Sequence, residues 1–462
     1  MILSLLVACT GPTDVPPPDT DVPVTHTADT AAPVRPNVLL VLADDLGLDN
    51  ISVYGLHPQP ANTPTIDALA AQGVRFTETW GTPSCSPARA QVLTGRHGRR
   101  YGLGNRVDMR PNHPTYALPQ AEVTLGELAR SVGYSTSFIG KWHLTSYAEG
   151  WEQAPAEQGF DWFAISGGNL NVPSTSEETS YFHWERNENG TVAFTDTYAT
   201  TSQVDDAIAR MRDMPEPWLL VLFLNAPHDP FHAPPESLHT LGPVAEDAPI
   251  PLRYRATVEA MDTELGRMLD SMPADQRART TVVFTSDNGT PLPAVTAPFP
   301  PGQGKPTLTE GGLRVPLIVA GPGIEPGVSP VFSSLTDLLP TVASTIGADP
   351  STLGADGGPL ALDGLDLAPW LADPLAPSAR ENLYADTFQT YGEPDRVPKQ
   401  AVKAGSFKLV RTSQGEFLFD LGAFPFDTPA RELIGAGEAD PAVVDDLRAR
   451  LDAEIAARPY AY

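Results

Sequence analysis

The feature that most constrains the fold is a series of apolar runs of strand length that show no alternation of polar and apolar residues. The first is Asn37–Ala43, and comparable runs lie at residues 135–139, 218–224, 281–284 and 315–319. Strands of this kind are buried on both faces, as in a parallel sheet. Segments with helical periodicity lie between them, at residues 65–72, 125–131, 197–211 and 254–271. The alternation predicts an α/β fold, with a large, mainly parallel sheet sandwiched by helices.

The pattern changes near residue 374, where long apolar runs give way to short ones. Residues 382–385, 407–411 and 416–420 are typical of short strands, and residues 442–457 of a closing helix. A length of 462 residues accommodates one large domain and a smaller one. We therefore expect a main domain over residues 37–374 and a small C-terminal α+β subdomain over residues 375–462.

The N-terminal segment carries a candidate anchoring signal. Leu6-Val7-Ala8-Cys9 resembles the lipobox of bacterial lipoproteins, in which the cysteine is lipidated. The apolar run before it is too short to span a bilayer. Residues 10–36 are rich in Pro, Thr and Asp, a composition that predicts a disordered tether. We expect residues 1–9 to be a short lipoprotein-type signal and the protein to lie in the bacterial cell envelope; the alternative is a low-complexity start without function.

The charge of the chain limits its partners. Its formal net charge is −27 and its pI about 4.6. Such a chain lacks the basic footprint that nucleic acid requires, and we expect membrane contact only through a lipid on Cys9. An anionic substrate would need a cleft that is locally basic. The two cysteines, Cys9 and Cys85, provide no disulfide framework.

Carboxylates follow two of the apolar runs directly. Asp44 and Asp45 come after the first run, and Asp287 and Asn288 after the run at residues 281–284. Ligands of parallel sheets bind beyond the carboxyl ends of the strands, so these side chains are expected to converge. Oxygen donors alone indicate a hard cation, Ca²⁺ or Mg²⁺. Taken alone, Asp-Asp after a strand is also compatible with a turn or a helix cap.

Several short motifs occur in one order along the chain. They are Cys85-Ser86-Pro87-Ala88-Arg89 with Thr94-Gly95-Arg96, the segments 140–144 (Gly-Lys-Trp-His-Leu) and 225–228 (Asn-Ala-Pro-His), Gly304-Lys305, and residues 310–316. Together with the strand-end carboxylates, they resemble the type I sulfatases, members of the alkaline-phosphatase-like superfamily. The resemblance identifies residues 37–374 as the catalytic domain.

The resemblance implies a metal centre and a modified cysteine. Asp44, Asp45, Asp287 and Asn288 match the family's protein ligands for one Ca²⁺ per chain, with Mg²⁺ as the alternative. Cys85 matches the cysteine that a formylglycine-generating enzyme oxidises to formylglycine. The oxidised residue 85 would also contact the metal.

The resemblance further implies roles in hydrolysis of a sulfate monoester. A hydroxyl of hydrated formylglycine attacks sulfur with help from Asp287. His228 protonates the departing alcohol, assisted by Lys305, and His143 removes a proton from the second hydroxyl to release sulfate.

Two lysines and an arginine complete the implied site. Lys141, Lys305 and His228 match residues that bind the sulfate, where fixed positive charge stabilises the reacting group. Arg89 matches a residue that orients residue 85 and the carboxylates. A helix beginning near Pro87 would also direct its N-terminal amides toward residue 85.

The substrate is less constrained. A cluster of basic residues could line a cleft for a polyanionic glycan or form a solvated loop; it comprises Arg96, His97, Arg99, Arg100, Arg106 and Arg110. Trp151, Trp162 and Trp184 are candidates for stacking on sugars, with core packing as the alternative. We expect a sulfated small molecule or carbohydrate as substrate. A phosphomonoester or phosphonate monoester hydrolase and a non-catalytic, lipid-anchored glycan-binding protein stay as alternatives.

Overall fold

A computed structural model of the chain describes residues 35–110, 115–352, 360–389, 398–423 and 425–459. The candidate lipobox with Cys9, and the predicted tether up to residue 34, lie outside the described residues. From Arg35 onward the described residues form one compact unit. Among them, no helix combines the length and the apolar character needed to cross a bilayer.

A ten-stranded sheet forms the centre of the molecule. Its strands are β1 (Asn37–Ala43), β2 (Val74–Trp80), β3 (Ser135–Lys141), β4 (Trp162–Ser166), β5 (Trp184–Glu188), β6 (Thr191–Thr195), β7 (Trp218–Phe223), β8 (Thr280–Ser286), β9 (Leu317–Ala320) and β10 (Gly327–Ser334). They lie in the order β10-β2-β9-β8-β1-β7-β3-β4-β5-β6. The neighbours from β8 to β4 are all parallel, whereas β9, β5 and β6 pair antiparallel. The predicted α/β fold is confirmed, with a mixed sheet whose parallel part is central.

Helices cover both faces of this sheet. They are α1 (Pro64–Gln72), α2 (Cys85–Thr94), α3 (Leu125–Ser131), α4 (Ala154–Glu157), α5 (Ala199–Asp213), α6 (Ile250–Asp270), α7 (Ala274–Ala278), α8 (Glu310–Leu313), α9 (Leu338–Ile346) and α10 (Ala368–Ala372). Val38 and Leu40 of β1 pack into a core shared with α3 and α9, whereas Leu39 and Val41 pack into a second core shared with α1, α5 and α6. Burial on both faces explains why β1 shows no polar alternation.

A separate antiparallel sheet follows, as predicted for the C-terminal part of the chain. It contains β11 (Asn382–Thr387), β12 (Lys399–Ala404), β13 (Phe407–Thr412) and β14 (Gly415–Asp420) in that order, and two helices follow, α11 (Leu433–Ala436) and α12 (Pro441–Ala457). Val444, Leu447 and Leu451 of α12 pack on this sheet. The boundary at residue 374 stays a prediction.

A buried charge network joins the two sheets. Lys408 of β13 places its Nζ 3.0 Å from Glu310 Oε1 and 2.7 Å from Asp427 Oδ2. The same Nζ lies over the ring of Trp80, at the end of β2. Burial alone would raise the pKa of Glu310, but the charges of Lys408 and Lys403 hold it at about 2. The ionised form of Glu310 therefore stabilises the junction.

Acid is expected to weaken this junction. Because the pKa of Glu310 is lower in the folded chain than its ordinary 4.5, its contribution is present above pH 4.5 and is lost as the pH falls toward about 2. The free energy of unfolding, measured by urea denaturation, should therefore decrease between about pH 5 and about pH 3. The Glu310→Gln variant should show a shallower decrease. An equally steep decrease in that variant would contradict the assignment.

Candidate active site

The residues singled out from the sequence converge at one edge of the large sheet. The neighbouring parallel strands β8, β1, β7 and β3 all end there. Asp44 and Asp45 follow β1, and Asp287 and Asn288 follow β8. Lys141 is the last residue of β3 and His143 lies just beyond it, and His228 lies after β7. Cys85 reaches the same edge as the first residue of α2. The chain thus brings together groups that lie more than two hundred residues apart in sequence.

The acidic residues form a compact, fully buried cluster. Asn288 Nδ2 donates to Asp45 Oδ1 at 2.6 Å. Asp287 Oδ1 accepts the backbone N–H groups of Asp45 and Asn288, each at 2.8 Å. Cys85 Sγ, one carboxylate oxygen of Asp44 and one of Asp287 all lie within 4.8 Å of one another. The four strand-end residues and residue 85 are therefore close enough to share one cation.

Three cationic side chains surround these three carboxylates. Lys141 Nζ lies 2.5 Å from Asp44 Oδ2, and Lys305 Nζ lies 2.5 Å from Asp45 Oδ1. Arg89 NH2 lies 3.3 Å from Asp44 and 3.4 Å from Asp287. Arg89 also donates to the backbone oxygen of Lys141 at 3.0 Å. Formal charge is balanced before any ion is added, so a bound divalent cation would make the site electropositive.

The two carboxyl groups nearest Cys85 titrate in opposite directions. Burial would raise the pKa of Asp44, but the charges of Lys141, His228 and Arg89 hold it well below its ordinary value. Burial and the negative charge of Asp44 raise the pKa of Asp287 well above its ordinary value. In the ion-free protein Asp44 is therefore the stronger acid of the two, and Asp287 holds a proton more readily. Binding of a cation would release that proton, as is usual when a metal binds titratable ligands.

Two oxygen atoms in the cluster test whether these residues fit a metal. Asn288 Oδ1 is buried and forms no hydrogen bond with any described residue, and Asp44 Oδ1 is buried with only an ion pair to Arg89 NH2 at 3.3 Å. A buried polar atom without a partner costs about 1–3 kcal/mol. Asn288 Nδ2 donates to Asp45, and this hydrogen bond sets the orientation of the whole amide group, including its oxygen. An oxygen-rich cluster with unsatisfied acceptors fits a hard cation such as Ca²⁺ or Mg²⁺.

His143 is placed to accept a proton from residue 85. Its Nε2 lies 3.0 Å from the Val107 carbonyl oxygen. Because a carbonyl only accepts, the proton resides on Nε2 and the Nδ1 lone pair faces Cys85 Sγ at 3.5 Å. Burial and the charge of Lys141 lower the pKa of His143 well below its ordinary value, which keeps the ring neutral. The backbone of His143 has a φ of 54°, a strained conformation typical of functional sites.

His228 approaches the cluster from the loop after β7. Its Nδ1 lies 2.7 Å from the Asp229 carbonyl oxygen, and its Nε2 lies 3.7 Å from Asp45 Oδ2. The buried Tyr181 hydroxyl lies 2.6 Å from the Asn225 carbonyl oxygen and 2.9 Å from that of His228, which fixes the loop. Nε2 is thus the ring nitrogen that faces the site.

Cys85 is buried with only 1% of its surface exposed. Burial would raise the pKa of the thiol, but the charges of Lys141 and Lys305 lower it. The helix starts at Cys85, two residues before the predicted start at Pro87, and all ten residues of α2 are buried. Residue 85 therefore lies in the first turn of α2, at its positive end.

Most of the basic cluster predicted for a glycan cleft serves another purpose. Arg96, Arg99 and Arg100 form ion pairs with Glu122, Asp386 and Asp363, at 2.6, 3.5 and 2.6 Å respectively. These pairs join separate segments of the chain, and His97 is buried beside them. These three arginines therefore do not line the pocket beside His143, and His97 lines a separate pocket together with Asp363 and Arg380.

Only Arg106 and Arg110 of that cluster line a pocket beside His143, together with Asn169 and Val172. The tryptophans do not supply stacking faces. Trp151 and Trp184 are each 1% exposed. The Arg210 guanidinium lies over the Trp162 ring, 5.0 Å from the centroid of that ring. Core packing, the alternative interpretation, holds.

Some supporting groups have no signal in the sequence. The Val107 carbonyl, which fixes the His143 tautomer, is a backbone atom and carries no side-chain signature. Tyr181 lies in a segment with no recognised motif. Asp229 directly follows His228 in the chain, and only this adjacency could have indicated it.

Comparison with known proteins agrees with this geometry. The Sulfatase family model matches residues 36–348. N-acetylgalactosamine-6-sulfatase from Sus scrofa is 33% identical over 352 residues, which cover 70% of this chain and 64% of that protein. Arylsulfatase A from Bos taurus is 32% identical over 427 residues, which cover 86% of this chain and 78% of that protein. The chain thus spans less than two thirds of the length of the first of these relatives.

Among solved structures, Ps i-CgsB in complex with k-i-k-neocarrahexaose superimposes with a TM-score of 0.77 at 23% identity. The match covers 92% of this chain and 94% of that one, and it supports the fold. The residues that match the Sulfatase family model include the buried cluster around Cys85. The chain belongs to the sulfatase family.

Proposed function

We propose that this protein hydrolyses sulfate monoesters at the cluster around Cys85. The observation that carries the proposal is the pair of buried oxygens without hydrogen bonds, Asp44 Oδ1 and Asn288 Oδ1, in a cluster that also contains Cys85 and two lysines. A cation among these oxygens would leave a net positive site in a chain of net charge −27. Such a local reversal of charge suits a small anionic ester.

The chemistry requires two groups beyond the encoded side chains. Oxidation of Cys85 to formylglycine would supply a hydrated aldehyde with two hydroxyl groups. A Ca²⁺ ion, or Mg²⁺ as the alternative, would be held by Asp44, Asp45, Asp287 and Asn288 and would neutralise the sulfate oxygens. A formylglycine-generating enzyme is the partner that the first of these groups implies.

The chain's own residues then divide the remaining tasks. Lys141 and Lys305 place fixed positive charge beside the carboxylates, where a sulfate would bind. Nδ1 of His143 accepts a proton from residue 85, because its lone pair faces that residue. Nε2 of His228 faces the site, and because Nδ1 bonds the Asp229 carbonyl oxygen, the ring donates a proton from Nε2 to the departing alcohol when both nitrogens are protonated. Arg89 holds Asp44 and Asp287 in position.

We assign a sulfated carbohydrate as the substrate class. The support is the name of the relative, N-acetylgalactosamine-6-sulfatase, which refers to a sulfated sugar. The pocket beside His143 is lined by Arg106 and Asn169, and by Asp108, whose carboxylate is paired with Arg110, so it offers a guanidinium and an amide to a hydroxylated anionic ligand.

Turnover of matched esters tests the function. Protein produced in a host that oxidises cysteine to formylglycine is expected to hydrolyse 4-nitrophenyl sulfate with a higher kcat/KM than 4-nitrophenyl phosphate or a 4-nitrophenyl phosphonate. A preference for phosphorus esters would assign the protein to the phosphatase side of the superfamily. No turnover of any of these esters or of sulfated sugars, by protein shown to carry formylglycine, would overturn the proposal.

The role of His228 has a distinct signature in the same assay. The His228→Gln variant is expected to lose about 10²-fold or more in kcat on an alkyl or sugar sulfate, whose leaving group needs a proton. The loss should be much smaller for 4-nitrophenyl sulfate, because 4-nitrophenolate departs without protonation. His232→Gln is the control, since this nearby buried histidine contacts Tyr198 and stacks on Tyr181. Equal losses on both substrates would argue against a general acid.

We propose further that Cys9 is lipidated and anchors the protein in the bacterial cell envelope. The support is the sequence Leu6-Val7-Ala8-Cys9 followed by the Pro-, Thr- and Asp-rich segment. Metabolic labelling with a fatty acid should mark the wild-type protein and not Cys9→Ser. Equal labelling of both would refute the anchor.

A further inference from the structure

The segment that contains Arg106 is tied directly to the turn that contains Cys85. Asn105 Oδ1 lies 3.1 Å from the Ser84 hydroxyl. The backbone N–H of Val107 donates to Ser86 Oγ at 2.9 Å, and its carbonyl accepts from His143. Both neighbours of Arg106 are thus bonded to groups that flank residue 85. The backbone of Arg106 is therefore held at a set position beside the active site.

The C-terminal sheet supports the same segment from the other side. The carbonyl oxygen of Gly104 accepts from Thr387 Oγ1 at 3.2 Å and from the Phe388 N–H at 3.3 Å. A Cβ at Gly104 would lie only 2.3 Å from the Phe388 ring, so the two segments pack without a gap. Residue 106 thus lies on a backbone that is supported by both sheets.

The side chain of Arg106 differs from its basic neighbours. Arg96, Arg99 and Arg100 are paired with carboxylates, and Arg110 binds Asp108 through Nε and NH2, at 3.0 and 2.6 Å. Arg106 is exposed, and it forms no ion pair with any residue in the described part of the chain. It also lines the pocket that opens beside His143. Among the described residues, therefore, no carboxylate neutralises this guanidinium beside the candidate active site.

We infer that Arg106 determines specificity by binding a second anionic group of the substrate, in addition to the sulfate that is cleaved. This inference rests on the proposed function. The guanidinium matches the geometry of a sulfate or a carboxylate and remains charged at any working pH. The preferred substrates are therefore saccharides that carry a further sulfate or a neighbouring uronate close to the reacting ester. Because the group is exposed, its effect is greatest at low ionic strength.

Three N-acetylgalactosamine 6-sulfate substrates test the inference: the monosaccharide, its disulfated form and the disaccharide with a hexuronate. Arg106→Gln is expected to lower kcat/KM about tenfold for a substrate with the second anion, with a markedly smaller loss for the monosaccharide and for 4-nitrophenyl sulfate. The loss should shrink as salt is raised from 20 mM to about 500 mM. A larger loss of kcat/KM on the disulfated monosaccharide would identify the second anion as a sulfate. A larger loss on the disaccharide would identify it as the carboxylate of the uronate.

Arg212→Gln is the matched control, since it removes the same charge from an exposed position near the end of α5, before β7 begins at the opposite sheet edge. This variant should leave every kcat/KM unchanged. Equal losses of Arg106→Gln on substrates with and without the second anion would overturn the inference while leaving the sulfatase activity intact. Absence of activity in the wild-type protein would instead count against the proposed function.

Discussion

Cys85→Ala is expected to lower kcat/KM for 4-nitrophenyl sulfate by at least about 10⁴-fold, because nucleophile removal costs rates of this order. The folded structure should persist, since loss of one buried sulfur atom costs only about 1 kcal/mol. Steady-state kinetics and circular dichroism of the two proteins, purified from the same host, measure the two effects.

Production without the modifying enzyme provides the control for this result. Wild-type protein from a host that lacks formylglycine-generating activity should be as inactive as Cys85→Ala, and mass spectrometry of the peptide containing residue 85 should show intact cysteine. Full activity of such protein would contradict the aldehyde mechanism. Full activity of Cys85→Ala would exclude residue 85 as the nucleophile altogether.

Calcium should stabilise the protein after treatment with a chelator, by about 2.7 kcal/mol at a Ca²⁺ concentration of 100 times its Kd. The ion would satisfy Asp44 Oδ1 and Asn288 Oδ1, the two buried oxygens without hydrogen bonds. Thermal denaturation followed over a Ca²⁺ titration measures the effect, and Mg²⁺ in a parallel titration separates the two candidate ions. The absence of any shift with both ions would contradict the metal site.

The Asp287→Asn variant sharpens this test. Burial and the charge of Asp44 raise the pKa of Asp287 well above its ordinary value, which favours the protonated form in the ion-free protein. An amide resembles a protonated carboxyl group, so the ion-free stability should change little while the Ca²⁺-dependent increase is lost. Asp49→Asn is the control: Asp49 is equally buried, but it bonds Thr290 and Asn50, and the variant should retain the increase.

Of the strands in the large sheet, the sequence predicted β1, β3, β7 and β8, in which almost every residue is buried, and part of β9. It missed β2, which contains polar residues, and also the apolar and largely buried β4. β1 and β7 are uninterrupted apolar runs, since every residue in them faces one of the two cores. β2 contains polar residues because Glu78 pairs with Arg314 and with Lys403 of the C-terminal sheet. Such pairing depends on residues distant in sequence, so the local pattern of β2 resembles that of an exposed segment.

The same limit applies to the site. The strand-end positions of Asp44 and Asp287 predicted their convergence, because parallel strands end at one edge. The fate of the arginines could not be predicted in this way. Arg96 and Arg100 are neutralised by Glu122 and Asp363, and only the folded chain shows that Arg106 has no such partner among the described residues.

The complete burial of α2 would also set the order of events in biosynthesis if Cys85 is oxidised to formylglycine. An enzyme that alters Cys85 needs the surrounding segment in its own active site, and a helix enclosed on all sides cannot be presented in that way. Under the proposed function, oxidation would therefore precede the folding step that brings Asp287, just beyond β8 and almost two hundred residues further along the chain, into contact with Arg89 of α2. The rate at which the chain completes its sheet would then limit the fraction of molecules that become active.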